Sequence, residues 1–493
     1  MSHNSSRTKY RLIMSLLCLL SLLVSQVPIS LAAEYKPGTY KTDATLYVPD
    51  FESAEFHETY IRDIVANTNE PLEKTLLTYL LNEIAKTVPD EYTALKDMML
   101  LSPGYMQSRD TALIHLTGEV LELDPLSRFT LCQAITNTIC APGQVKSCLI
   151  LADGQALSLD EAQSVPTGVF APNEYADPLA AMSQLLLRHT ESETTSLHYR
   201  TNTALFYPTS AGHGIICEVK ALTYASDSPE EAVRTVLAAL SDNDLFDVPE
   251  LPPLNDFLSE PPRLEIIDDS ENILILNFDE ELSSVLSEYG ILRSVLMASI
   301  TMSLQGYFPW INGIRCEIGG EAILAIVPVG LFDGANEAIS FDRGYMLWQD
   351  FAHFILTDID LYFINDNNKL TETSRYIPSN WAADPQKLLE QLFSGPSYYD
   401  SVIDLKPVFD KSVSLDELLN ELVAEDNKIT IDFSNPFINE TDDLDAEQNV
   451  VYSLVNTMTA LQWCRRVTLS VNGNAPNGQL SYETPFMRSM DYR

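Results

Sequence analysis

The sequence predicts an α+β fold built from three tandem copies of one small unit, each reading strand-strand-helix and then strand-helix-strand. Three observations predict it. Similar segments recur at a pitch of about 150 to 165 residues, strands of period two end in Asp-Gly, Gly-Gly or Asn-Gly, and leucine-rich helices open on proline. The units are placed at residues 40–158, 198–326 and 355–482.

Each unit opens on a β-rich run, LYVPD from Leu46, LFYPT from Leu205 and LYFIN from Leu361. A second extended segment follows with a basic residue two before an aliphatic one: Arg62 and Ile64, Lys220 and Leu222, Arg375 and Ile377. Pro71, Pro229 and Pro385 then stand after Glu70, Ser228 and Asp384, which predicts a capped helix with proline at its first position. Leucines at three-to-four spacing give each of these helices a buried face.

After a variable connection, an aliphatic strand carries one polar residue at the same place in each copy: His115, Asn277 and Asp432. A second helix follows with hydroxyls among aliphatics, ITNTI ending at Ile139, SITMS ending at Ser303 and VNTMT ending at Thr459. The last strand runs into Asp153-Gly154, Gly319-Gly320 or Asn472-Gly473, pairs suited to a tight hairpin turn. The connectors repeat as PTGVF from Pro166 and PVGLF from Pro328, leading to apolar stretches at Met182 to Leu187 and Met346 to Phe354. Apolar linkers predict docked neighbours rather than beads on a string. Units that each own a core also predict that deleting residues 355–493 leaves a folded two-domain protein.

Composition narrows the function. The 493 residues carry 70 acidic and 30 basic side chains, a formal net charge of −40. That balance argues against nucleic acid, whose phosphates recruit cations, and against docking on anionic lipid. Residues 1–33 read as a secretory signal, with Arg7, Lys9 and Arg11 before an apolar run from Leu12 to Val24 and cleavage expected near Ala32 or Ala33. The run is shorter than the roughly 20 residues of a membrane span, and retention as an anchor is the alternative. Leu17 precedes Cys18 where lipid modification requires a small residue. The six remaining cysteines read as buried thiols.

No residue qualifies as catalytic, cofactor-binding or metal-ligating. His57-Glu58 has Ile61 where a zinc protease helix needs its second histidine, and Gly212-His213-Gly214 reads as a turn rather than a dinucleotide loop. There is no serine elbow and no phosphate loop. The acidic run Asp442, Asp443, Asp445 and Glu447 lacks the glycine of a calcium loop; Asp445 with Gln448 reads as a capping box. His115, Asn277 and Asp432 read as architectural hydrogen-bonders, because a catalyst has little reason to occur in every copy. Tyr307, Phe308, Pro309 and Trp310 are either an exposed partner-binding spot or a buried lid.

The proline-started helix, the polar residue in the third strand, the threonine-aliphatic helix and the closing Asn-Gly or Asp-Gly strand together resemble the GerMN domain of sporulation and spore-germination proteins. The third copy is most similar, through KLLEQLFSGP from Lys387, KITIDFSNPF from Lys428 and VNTMTALQWCRRVTLSVNG from Val455. The resemblance implies three tandem small α/β-sandwich-like domains, similar to ring-building motifs of secretion assemblies. It also implies a non-catalytic, secreted or envelope-associated assembly, scaffold or binding module. The expected partners are envelope or membrane proteins, with self-association and peptidoglycan or another glycan as further candidates. The alternative is a secreted ligand-binding protein or hydrolase with its site between domains.

Overall fold

The computed structural model describes residues 34–160, 165–173, 182, 198–210, 213–225, 228–243, 245, 248–267, 271–328, 330–331, 337–397, 404–409, 414–437 and 443–489. The expected signal, Met182 to Leu187 apart from Met182 itself, Gly212 and Asp442 lie outside them.

The fold is α+β, with three sets of elements in one order. Strand β1 (Glu34–Pro37) comes first, followed by the hairpin β2 (Thr39–Asp50) and β3 (Glu55–Asn67) and helix α1 (Leu72–Thr87). Strands β4 (Leu100–Ser108) and β5 (Thr111–Leu116), helix α2 (Pro125–Cys140), and strands β6 (Ser147–Ala152) and β7 (Gln155–Ala156) complete the first unit in a sheet ordered β4-β5-β6-β7. The second unit has the hairpin β8 (His198–Pro208) and β9 (Ile215–Ala225), then α3 (Pro229–Ser241), β10 (Arg263–Ile267) and β11 (Glu271–Phe278). Helices α4 (Glu281–Glu288) and α5 (Arg293–Gln305) and strands β12 (Gly313–Ile318) and β13 (Glu321–Ala322) close it in the order β10-β11-β12-β13. A ribbon of β14 (Ala325–Ile326) and β15 (Ile339–Ser340) leads on. The third unit holds the hairpin β16 (Leu356–Ile364) and β17 (Leu370–Pro378), then α6 (Pro385–Phe393), β18 (Leu419–Glu425), β19 (Lys428–Phe433), α7 (Leu444–Met458) and β20 (Arg466–Val471).

The variable connection of the sequence reading therefore hides a strand. β4, β10 and β18 each pair antiparallel with the strand that follows. LLSPGYMQS, RLEII and LNELVAE share no pattern; β4 and β10 are terminal in their sheets, where a strand needs little beyond backbone pairing, whereas β18 lies between β1 and β19. Caps differ in detail as well. Ser228 and Asp384 cap α3 and α6 with proline next, as expected. Pro71 itself is the N-cap of α1, without a side-chain bond, and Asp443 rather than Asp445 caps α7.

A two-stranded hairpin is marginal alone in water, and here the helix before the closing strand of each unit supports it through a hydroxyl. Thr138 Oγ1 accepts from Tyr47 N–H at 2.9 Å, Ser303 Oγ accepts from Phe206 N–H at 2.9 Å, and Ser453 Oγ donates to the Tyr362 carbonyl at 2.7 Å. Tyr47, Phe206 and Tyr362 each follow the leucine that opens the motif run. The turns after the closing strands have positive φ at both residues, 47° and 79° at Asp153-Gly154, 60° and 82° at Gly319-Gly320, 49° and 73° at Asn472-Gly473. Two left-handed residues match the twist of the strands they join, which is why Asp, Asn and Gly stand there.

The chain beyond each unit returns to bridge its closing strand at one equivalent position. Cys148 exchanges two backbone bonds with Phe170, Ile314 with Met346 and Val467 with Phe486. Phe170 belongs to the first repeated connector motif, whereas Met346 lies well beyond the second, so the two motifs do not pair alike. Val329 and Phe332 of that second motif fall outside the described residues.

The cores interpenetrate. Ala112, Ile114, Leu116, Cys148, Ile150 and Ala152 face one hydrophobic cluster, which continues into Ile359, Leu361, Leu388, Leu389 and Leu422 of the third unit. The alternate residues Leu113, Leu149 and Leu151 face a second cluster with Phe206, Ile216 and Trp348. Strand β5 is buried on both faces for this reason, its polar Thr111 and His115 included. β1 also crosses between units, pairing parallel with β18 from Glu34↔Glu421 to Pro37↔Ala424. The six cysteines of this region are free and buried. No single helix among the described residues is long and apolar enough to cross a membrane.

All three units meet at Ser108, which is fully buried. Its hydroxyl donates to the Leu356 carbonyl at 2.7 Å and accepts from Cys217 N–H at 2.8 Å. Beside it, Arg109 N–H donates to Thr357 Oγ1 at 3.2 Å and the Arg109 guanidinium meets Glu218 at 2.7 Å. Ser108→Ala strands a buried carbonyl and a buried N–H, and is expected to cost roughly 1–3 kcal/mol in urea denaturation. The shared cluster reverses the expectation for truncation. Removing residues 355–493 uncovers one side of the first cluster and leaves β1 without its neighbour, so the remainder should aggregate or melt well below the full chain; size-exclusion chromatography and thermal denaturation read this directly.

Candidate functional site

The structure brings His115, Asn277 and Asp432 to one place in their units, opposite Leu151, Glu317 and Ser470 on the adjoining parallel strand. Two of them hold the closing turn. Asn277 Oδ1 accepts from Gly320 N–H at 3.0 Å, and Asp432 Oδ1 accepts from Gly473 N–H at 2.8 Å and Ser470 Oγ at 2.6 Å. Burial works against the Asp432 charge, but Ser470, Gly473 and Asn420 together outweigh it and hold the pKa below the ordinary value. His115 departs from the pattern. Both ring nitrogens are buried without a hydrogen-bond partner, and the ring meets Trp348 edge-on at 6.0 Å. Burial lowers its pKa, with Asp153 pulling the other way, which favours a neutral ring.

The aromatic cluster of the second unit is a lid rather than a contact spot. Tyr307 and Phe308 are buried, and the Tyr307 hydroxyl bonds Thr201 at 2.6 Å. His57 lies at the surface, 3.6 Å from Asp50. Among the described residues no group of His, Cys, Asp and Glu is placed to hold a metal ion.

The site that sequence reasoning missed is a cleft of about 410 Å³ between the first and third units. Its lining includes Glu70, Glu73, Asp110, Asp358 and Asp360 against Arg109 and Lys146. Most of these charges are committed: Glu70 to Lys74, Asp110 to Lys146 at 2.8 Å, and Arg109 to Glu218. Glu73 differs from these in being buried. It stands in the first turn of α1 with 2% of its surface exposed, and its Oε1 has no partner. Burial raises its pKa, opposed by a weaker bond from its own backbone N–H. Tyr40 and Trp463 stack beside it at 5.6 Å and 21°, one from each unit. The residues two beyond the corresponding prolines are an exposed Glu231 and a Lys387 paired with Glu390. No local pattern could mark Glu73, because the cleft it lines is formed by residues far apart in sequence.

The chain's comparisons follow this architecture. Residues 360–476 match the Germane family, described as sporulation and spore germination, and the match lies within the third unit, where the resemblance is strongest. This stretch, about a quarter of the chain, is GerMN-like. Among solved structures, the tandem GerMN domains of the sporulation protein GerM from Bacillus subtilis match at 17% identity over 59% of this chain and 97% of that one, with a TM-score of 0.21. A chain described as a lipoprotein from Clostridium perfringens matches at 20% identity over 27% of this chain and 87% of that one, with a TM-score of 0.19. Superpositions this slight carry no inference about activity or partners. No curated protein matches the chain.

Asp432→Ala should free the turn at Asn472-Gly473 and lower the melting temperature at neutral pH. An aspartate depressed in the folded state contributes stability that is complete above its unfolded pKa of about 3.9 and is lost as pH falls through the folded value. The gap between wild type and variant should therefore close below pH about 4, which melting curves across pH will show.

Proposed function

We propose that this chain is a non-catalytic, extracytoplasmic module of three GerMN domains that acts in assembly at the cell envelope during sporulation or germination. The family of residues 360–476 is described by those processes rather than by a reaction. The observation that carries the assembly reading is the edge of the second unit's sheet. Among the described residues β10 is terminal in its sheet, and Leu264 and Ile266 on it are 42% and 67% exposed. The corresponding edges are occupied elsewhere: β1 lies along β18, and the side chains of Ser379 and Thr357 receive the backbone N–H groups at Gln107 and Arg109, the end of β4 and the turn after it. An open strand edge with apolar side chains is a place for another chain to add a strand.

The test is genetic and physical together. Disrupting the gene should lower heat-resistant spore counts or slow germination, and the protein should fractionate with the envelope. A chain carrying Ile266→Lys, whose position is exposed and should tolerate the change, should fold normally yet fail to restore the phenotype. A cytosolic protein whose loss leaves spore formation and germination intact would overturn the reading.

A further inference from the structure

We propose that the cleft between the first and third units binds a primary ammonium group, with Glu73 as its counter-ion. Burying a carboxyl is costly unless something compensates it, and a helix start offers partial compensation only. Glu73 has given up nearly all contact with water, lines the cleft, and keeps Oε1 unpartnered. The Tyr105 hydroxyl is itself buried without a partner. An unpaired buried acceptor calls for an explanation, and beside a cleft a bound donor supplies one.

The chemistry of the donor follows from what surrounds it. The stacked rings of Tyr40 and Trp463 line the same cleft, and aromatic faces attract cations. Asp358 and Asp360 line it too, so the net field favours a positive guest, as does the −40 charge of the whole chain. Oε1 is the one oxygen of Glu73 that is buried without a partner. A guanidinium prefers two parallel acceptors, whereas a compact ammonium is satisfied by one. The ammonium can belong to a free amine or to a lysine side chain of another protein. The proposal stands independently of the envelope reading, because it concerns binding alone.

Titration calorimetry on the full chain tests it with three probes: cadaverine, Nα-acetyl-lysine amide and Nα,Nε-diacetyl-lysine amide. The two charged probes should bind at about millimolar affinity or tighter, and the neutral diacetyl probe should not. Glu73→Gln, with its fold checked by circular dichroism, should weaken binding about tenfold or more. Tighter binding of cadaverine assigns a free amine as the guest, and tighter binding of the lysine amide assigns a side chain; both support the proposal. It is overturned if neither charged probe binds, if the diacetyl probe binds equally, or if Glu73→Gln binds as wild type does. Should that variant not fold, the comparison of charged and neutral probes on the unaltered chain decides.

Discussion

One hydroxyl ties the molecule together. Ser108 ends β4 of the first unit, and its side chain satisfies a carbonyl of the third unit and an N–H of the second. A serine can do this because it both donates and accepts, and because it is small enough to sit where three backbones converge. Burial makes the arrangement strict, since either backbone group would be costly to leave unpaired. The two hydrophobic clusters lie on either side of this point. The first unit's sheet divides them, presenting alternate residues to each. Around the junction the units are less like modules than like layers.

The repeat within each unit has its own logic. Hydroxyls on the helix before the closing strand take up backbone groups of the hairpin that the sheet does not reach, and the returning chain bridges that strand. These contacts recur although the sequences have drifted far apart. What persists is the demand of the backbone for partners, which threonine and serine meet equally well.

Much of this was legible in the sequence, and the failures have a common cause. Period-two strands, proline-started helices and turn pairs such as Asn472-Gly473 are local, and they are found where spacing placed them. The coincidence of His115, Asn277 and Asp432 was also correct as a position. As a hydrogen-bonding role it holds for Asn277 and Asp432 but not for His115, whose surroundings come from Trp348 and the adjoining unit. β4, β10 and β18 escaped because their segments share no pattern, and their form comes from the strands they pair with. Glu73 escaped for the same reason on a larger scale. In the chain it is an ordinary acid at a helix start, and the cleft it lines draws residues some 300 positions away.

The pairing of β1 with β18 sets an order of events. Glu34 meets Glu421, 387 positions further along the chain, so the first of the described strands must wait for one made much later. Contacts this distant in sequence form late, after the loops between them have closed. While synthesis proceeds, Tyr35 and its neighbours have no sheet to join, and the apolar face destined for the third unit is uncovered. Such an intermediate is prone to pair with other chains. A polypeptide arranged in this way gains its finished form only once the whole length has been delivered, and its opening strand serves as the clasp that registers completion.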